Sequence, residues 1–552
     1  MIADIHITEK SFGDKTLMKD VKFSVDDGEK VGVVGRNGVG KSTLFGILSG
    51  KDTDYTGEVI FRRGITVATT AQEHHGLGDQ TVMSYILGGL PEYSKLKKII
   101  DEYPLTMGDN MRKIEEYTQA LERFDQKGFY QVEEKIEREL SNFQLEGFGD
   151  RKISSLSGGQ KRLVEIVKIM HSEAHLALID EPTNHMDYVA KQQFIDWMNS
   201  QPHQAMLIIT HDRDVLGQVD RIVEIKDGQA VSYRGNYDAY LKQNAQATTA
   251  GMNNFEQIEK RIVNLKQKVL DYQRLKEKSR NPGTIQKFKR LENEARAELA
   301  ELSEMEKPTF WIDKESASQL DYKSAERYGK FKSRNIRLSM KDASSRSQHV
   351  LVRAENVAVG IGERILFEDV NIDLREGEAI EIRGRNGAGK TTLIRMILAS
   401  GKSFDGGPIL YSGDIFLDLQ ARIGVYEQEI DERYLSDPLE KAIEKLYMSR
   451  DLSISDTKIR QLLADYLFTD ADRMTPLARL SGGQKARFQI IAMLANDPQL
   501  LVLDEPTNHL DLPSIEELET ALAKYSGAIL YVSHDNYFRE KLGGKVVQIG
   551  AE

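Results

Sequence analysis

The pentapeptide Leu156-Ser157-Gly158-Gly159-Gln160 recurs as Leu480-Ser481-Gly482-Gly483-Gln484. Each copy lies between a glycine-rich loop and an Asp-Glu pair, so the pentapeptide belongs to a larger duplicated unit. The loop lysines Lys41 and Lys390 are 349 positions apart, whereas Leu156 and Leu480 are 324 apart, as are Asp180 and Asp504. The first copy therefore carries about 25 additional residues between loop and pentapeptide. So long a period marks a duplicated domain rather than a solenoid. The 552 residues divide into 1–242, with a helical insert at about 92–140, a linker at 243–349, and 350–552.

Residues 35–43 read GRNGVGKST after the apolar residues 31–34, and residues 384–392 read GRNGAGKTT. Gly35, Asn37, Gly38 and Gly40, like Gly384, Asn386, Gly387 and Gly389, form a loop that can turn backbone N–H groups around phosphate oxygens. The following helix aims its positive dipole end at the same anion. Lys41 and Lys390 are expected to reach the terminal phosphates, with Thr43 and Thr392 completing the turn. The hydroxyls of Ser42 and Thr391 are expected to ligate Mg²⁺.

Residues 175–179 (HLALI) run into Asp180-Glu181, and residues 500–503 (LLVL) into Asp504-Glu505. Short apolar runs of this kind mark buried parallel strands. At their carboxyl ends Asp180 and Asp504 would hold Mg²⁺, while Glu181 and Glu505 would orient or deprotonate the attacking water. A helix-terminal acidic pair is the bland alternative. The shared continuation through Asp187 and Asp511 disfavours it. His211 and His534 also follow apolar runs, a place where ligands of doubly wound sheets gather, and could sense the γ-phosphate. Gln72 and Gln428 follow further strand-like segments and could touch Mg²⁺ or water. The pentapeptides should open helices, presenting Ser157, Gly158, Gly159 and Gln160, or Ser481, Gly482, Gly483 and Gln484, to a phosphate. A Ser-Gly-Gly helix cap without a ligand is the alternative there.

Two cores or more are required by the length. The chain has no cysteine, which excludes disulfides and thiolate metal sites and suits a reducing cytoplasm. It contains no apolar run of about 18 residues, and its first residues lack a signal pattern. Net charge is −11, against nucleic-acid binding by the chain as a whole.

The linker departs from that average. Phe255, Ile258, Ile262, Leu265, Val269, Tyr272 and Leu275 recur at steps of three and four, and the pattern resumes at Ile285, Phe288, Leu291, Ala295, Leu299 and Leu302 after Asn281-Pro282-Gly283. This reads as an antiparallel helical hairpin over about 253–306, each arm about 35–40 Å long. Residues 260–290 carry 11 Lys and Arg against 2 acids, a net of +9, whereas residues 291–306 have a net of −5. A basic projection on an acidic protein suits a phosphate backbone. Lys276, Lys278, Arg280, Lys287, Lys289 and Arg290 are the expected RNA contacts, the alternative being a solvated coiled-coil face. The insert at 92–140 is mildly acidic, with breaks expected at Tyr103-Pro104 and Met107-Gly108. It could touch a basic protein or pack internally. Residues 309–349 would lead back to the second copy.

These motifs resemble the ATP-binding cassette superfamily. The resemblance implies an α/β fold class, two phosphate-loop cassettes joined by a helical coiled-coil hairpin. It also implies a head-to-tail pairing within one monomer. Site one would join Lys41, Asp180, Glu181 and His211 to Ser481 and Gly483; site two would join Lys390, Asp504, Glu505 and His534 to Ser157 and Gly159. Adenine would stack on Phe12 in cassette one, where cassette two has Ile361. The strand before the second loop contains Glu381 and Arg383, polar for a strand of this type.

Tandem cassettes with a charged hairpin and no membrane segment resemble the ABC-F family. This resemblance implies an ATPase using ATP and Mg²⁺, with a hairpin that approaches ribosomal RNA and the P-site tRNA. Rescue, regulation and protection from antibiotics are all family activities. The ATPase subunit of a membrane transporter is the competing reading. A DNA-repair or chromosome-type ATPase is disfavoured by the absence of cysteine and the short hairpin.

Overall fold

The computed structural model describes residues 1–12, 15–70, 79–108, 110–184, 186–305, 307–318, 320, 322–338, 349–402, 407–427 and 430–550. Gln72 and Gln428 lie outside them, as does most of the Ser-rich segment before residue 349. Two compact units are present, one formed by Met1–Tyr237 with Ile336–Glu552 and the other by Asp238–Asn335.

The first unit contains both cassettes. In cassette one a six-stranded sheet has the order Val67–Thr69, Leu176–Asp180, Ala205–Ile209, Lys30–Gly35, Arg221–Lys226 and Gln229–Arg234. Its pairings are parallel except the last. Cassette two repeats the order with five parallel strands: Ile423–Tyr426, Leu500–Asp504, Ala528–Val532, Ala379–Arg383 and Lys545–Gln548. Each cassette adds a three-stranded antiparallel sheet, centred on Ala3–Phe12 and Val350–Ile361 respectively. Leu176–Asp180, Ala205–Ile209, Leu500–Asp504 and Ala528–Val532 are buried at every position. Helices on both faces explain why their sequences lack apolar-polar alternation.

Glu381, the polar residue in the strand before the second loop, is 3% exposed. Arg383 bonds it through Nε at 2.7 Å and Nη2 at 2.8 Å, and Arg539 Nε lies 3.7 Å away. The strand is buried as its position requires, and the carboxylate is carried inside by arginines.

The insert forms three helices, Tyr93–Thr106, Met111–Gln126 and Val132–Asn142. The expected break at Tyr103-Pro104 is corrected: Pro104 lies inside the first helix, exposed in its last turns. The missing N–H there forfeits only one helical bond near an end that already frays. Tyr93, Phe124 and Phe129 form an aromatic cluster with centroids 5.2–5.7 Å apart. With Ile136 and Leu140 they join the cassette-one core, so this face of the insert is internal packing.

The second unit is a hairpin. Its first helix is longer than its apolar stripe, running Tyr237–Lys278, and the second runs Pro282–Glu304. Residues before Phe255 hid the helix because Asn244 and Thr248, not apolar groups, are buried there. Asn281 caps the second helix through Gly283 N–H at 3.0 Å. Leu265, Val269 and Ala295 form the seam, and Tyr272 stacks on Phe288 at 6.3 Å. A second small cluster gathers Met252, Ile312, Tyr328 and Phe331. Part of the basic charge is neutralised internally. Lys276 bonds Glu292 at 2.6 Å, Arg261 bonds Glu298 at 2.7 Å and Arg290 bonds Glu294 at 2.8 Å. Lys278, Arg280, Lys287 and Lys289 are exposed and make no ion pair among the described residues.

Candidate active sites

Three neighbouring strands of each sheet deliver the candidate groups at their carboxyl ends. In cassette one, Lys30–Gly35 leads into the phosphate loop, Leu176–Asp180 into Glu181 and Ala205–Ile209 into His211. Cassette two repeats this with Ala379–Arg383, Leu500–Asp504 and Ala528–Val532. Gly40 and Gly389 cap the loop helices in the left-handed region, at φ 105° and 98°. Only glycine takes that turn without strain.

Lys41 Nζ donates to the Gly35 and Arg36 carbonyls at 2.6 and 3.3 Å, and Lys390 Nζ to those of Gly384 and Arg385 at 2.8 and 3.1 Å. Each ammonium is thus poised inside its own loop. Ser42 Oγ donates to Asp180 at 3.1 Å, and Thr391 Oγ1 to Asp504 at 2.7 Å. The hydroxyl and carboxylate expected to share Mg²⁺ therefore stand together in both sites.

Glu181 and Glu505 adopt positive φ, 46° and 52°, a conformation that strains residues bearing a Cβ. Their amides donate to Ile209 and Val532 carbonyls at 2.7 and 3.0 Å, so the neighbouring strand holds the strained turn. His211 Nε2 lies 3.5 Å from Glu181 Oε1, and His534 Nε2 lies 3.4 Å from Glu505 Oε1. Neither approach is a hydrogen bond. Both His211 ring nitrogens, His534 Nε2, Glu505 Oε1 and Asp504 Oδ1 are buried without a partner. Orphaned donors and acceptors at these positions fit a polar, charged ligand. Burial pushes the Glu505 carboxyl up to about 7, with Asp504 adding to the rise and Lys390 opposing it. Burial, reinforced by Asp180, raises Glu181 in the same direction. Burial and then Lys390 press His534 down to about 3, and burial and Lys41 likewise lower His211. Both imidazoles are neutral at physiological pH.

Each site borrows from the other cassette. The signature helices, Gly158–His171 and Gly482–Leu494, open with capping boxes. Ser157 Oγ accepts the Gln160 amide at 3.3 Å while Gln160 Oε1 accepts the Ser157 amide at 3.0 Å. Ser481 and Gln484 do the same at 3.3 and 2.8 Å. The glutamines therefore shape the turn, and the free amides belong to the serine-glycine segment. A cavity of about 890 Å³ is lined by Ser157, Gly158 and Gly159 on one side and by Lys390, Thr391, Glu505 and His534 on the other. Across the other junction, a Cβ on Gly483 would meet Asn37 Nδ2 at 2.0 Å.

Asp187 and Asp511 fasten these junctions, a role the sequence concealed because each also reads as an ordinary N-cap. Asp187 caps its helix through Ala190 N–H at 2.9 Å and accepts the Asn386 amide of the opposite loop at 3.0 Å. Asp511 caps through Ser514 at 3.1 Å and accepts the Asn37 amide at 3.1 Å. The Asn37 side chain bonds the His509 carbonyl at 2.8 Å. Their recurrence at one offset, immediately after the shared carboxylate motif, was the available signal. Phe12 and Ile361 end equivalent strands and are both exposed, at 55% and 53%.

Among the described residues no group of three or more His, Asp and Glu could hold a metal ion by itself. One hydroxyl and one carboxylate per site fit Mg²⁺ only with phosphate oxygens completing its shell.

The fold and its paired sites place the chain among tandem-cassette ATPases. The family model described as ABC transporter matches residues 18–184 and 367–508, one stretch per cassette. The chain is 30% identical to ABC transporter F family member 2 of Arabidopsis thaliana over 553 residues, covering 98% of this chain and 75% of that relative. It is 28% identical to the energy-dependent translational throttle protein EttA of Mycobacterium tuberculosis over 539 residues, covering 96% and 88%. It is 27% identical to the ribosome protection protein VmlR of Bacillus subtilis over 533 residues, covering 96% and 83%. The chain belongs to the F family of ATP-binding cassette proteins. No described helix is long and apolar enough to cross a membrane.

Proposed function

We propose that this protein is a cytoplasmic ATP-driven clamp that binds the ribosome through its hairpin and acts on translation. Support for the clamp comes from one observation above others: Asp187 and Asp511 each tie their own cassette to the opposite phosphate loop. A ligand in either loop then bears on both cassettes, and closure follows from its differential contacts with the two arrangements. Lys41 and Lys390 bind the terminal phosphates of ATP, and the amides beside Ser157 or Ser481 meet them from across the junction. Ser42 with Asp180, and Thr391 with Asp504, hold Mg²⁺. When bound, this ion neutralises phosphate charge. Glu181 and Glu505 orient the attacking water and take up its proton, a role suited to a carboxyl raised toward neutrality. His211 and His534 hold the γ-phosphate through neutral imidazoles. Hydrolysis removes the shared ligand and opens the clamp.

The ribosomal target is supported by the hairpin and by the relatives described as a ribosome protection protein and a translational throttle. Lys278, Arg280, Lys287 and Lys289 are the cations left available for phosphates.

The paired variant Glu181→Gln, Glu505→Gln should bind ATP, stay closed and cosediment with ribosomes. Failure to cosediment while closed with ATP would overturn the ribosomal reading. Association with membrane subunits instead would favour a transporter motor. Reversing charge at Lys278, Lys287 and Lys289 should weaken ribosome binding and flatten its salt dependence by about one unit per lost phosphate contact. Reversing Arg290, already paired, should do less.

A further inference from the structure

Helix Tyr188–Ser200 of cassette one reaches site two at two successive turns. Its cap Asp187 accepts the Asn386 amide at 3.0 Å. One turn on, the buried Lys191 donates to the main-chain oxygen of His534 at 2.8 Å. The same ammonium donates to Asp214 at 2.7 Å and lies 3.2 Å from Asp212. Asp214 in turn accepts from Asn536 Nδ2 at 2.7 Å. Three donors face three oxygens, two of them carboxylate, so the ammonium is held in one place. The His534 amide continues the connection by donating to Glu505 Oε2 at 3.2 Å.

Site one lacks this connection. The offset of 324 that aligns Asp187 with Asp511 puts Ile515 in the place of Lys191. Ile515 is 2% exposed and belongs to the apolar core of cassette two. The nearby bond across that side is Arg213 to Glu519 at 2.9 Å, made by a side chain two residues beyond His211. Among the described residues, no side-chain cation bonds the His211 carbonyl.

We propose that Lys191 is a positioning residue for hydrolysis at site two alone, holding His534 and Glu505 in register only while the cassettes are closed. Lys191 and His534 belong to different cassettes, so opening breaks their bond and frees the backbone that carries the histidine. Site two is thereby conditional on closure through a contact that site one does not have. This rests on Glu505 and His534 serving hydrolysis as proposed above.

The test measures steady-state ATP hydrolysis in two single-site proteins. Glu181→Gln leaves site two competent, and Glu505→Gln leaves site one. Adding Lys191→Met should lower kcat about tenfold or more in the Glu181→Gln protein, as expected for a misplaced catalytic group. KM for ATP should change little there, and the Glu505→Gln protein should keep its rate. Asp214→Asn, nearly isosteric, should give a smaller loss with the same selectivity and guards against misfolding of the methionine variant. Equal losses in both backgrounds, an effect on KM alone, or no loss at site two would overturn the role of Lys191. Undiminished hydrolysis by the doubly substituted Glu181→Gln, Glu505→Gln protein would instead overturn the assignment of the sites, and the coupling with it.

Discussion

Site one and site two carry the same Lys, Ser or Thr, Asp, Glu and His, yet their supports are chemically different. The place of a base is marked by Phe12 in one and Ile361 in the other. Lys10 lies 4.7 Å from the Phe12 centroid and is itself held by Asp52 at 3.0 Å, so the ring rests on a buried cation. The same position in cassette two is Val359, fully buried. Beneath the loops the exchange runs the other way. Gly32 of cassette one packs so closely that a Cβ would meet Leu216 at 2.7 Å. At the matching positions cassette two has Glu381 and Arg539, with 3.7 Å between their charged groups. An apolar close contact in one copy has become an ionic one in the other. Duplication has kept the groups that would touch triphosphate and let the packing beneath them diverge.

The largest expected effect tests what the sites share. Replacing both Glu181 and Glu505 by Gln should lower phosphate release by about 10²- to 10⁴-fold, the range for loss of a general base. The two single variants divide that rate between the sites; a double variant with wild-type turnover would break the assignment. Next comes the ionic exchange. Glu381→Ala should destabilise cassette two by about 1–3 kcal/mol, because charged hydrogen bonds are lost inside the sheet. Adding Arg539→Leu should recover part of that, read as a positive coupling in a denaturation cycle. Full additivity would mean that Arg539 takes no part. Smallest is the base contact. Phe12→Ala should weaken ATP binding at site one by about 0.5–1.5 kcal/mol, and Ile361→Phe should strengthen site two by a similar amount. Equilibrium binding in single-site proteins would show either shift. No change from both would remove the difference at the base.

Much of this was legible because it is local. A loop lysine three residues after a turn glycine, an apolar strand ending in Asp-Glu and an Asn-Pro-Gly turn all act within a few residues of themselves. What escaped depends on partners far away in the chain. Glu381 looked out of place until Arg383 and Arg539 closed around it. Asp187 looked like a cap because it is one, and its second bond lies 199 positions away. Lys191 resembled a surface lysine on an amphipathic helix. The basic count of the hairpin overstated its available charge, since Glu292, Glu294 and Glu298 take up Lys276, Arg290 and Arg261 across or along the helices. The expected roles of Gln72 and Gln428 fall on residues outside those described.

Cross-pairing of the cassettes is the centre of the account, and the signature serines report on it most directly. ATP hydrolysis should be measured for Ser157→Ala and Ser481→Ala, each placed in the Glu181→Gln and Glu505→Gln single-site proteins. Loss of a helix cap should cost about 1 kcal/mol of stability in either background. Beyond that common cost, Ser157→Ala should depress hydrolysis when Glu505 is the remaining carboxylate, and Ser481→Ala when Glu181 remains. Selective loss at the glutamate of the same cassette would contradict the head-to-tail arrangement.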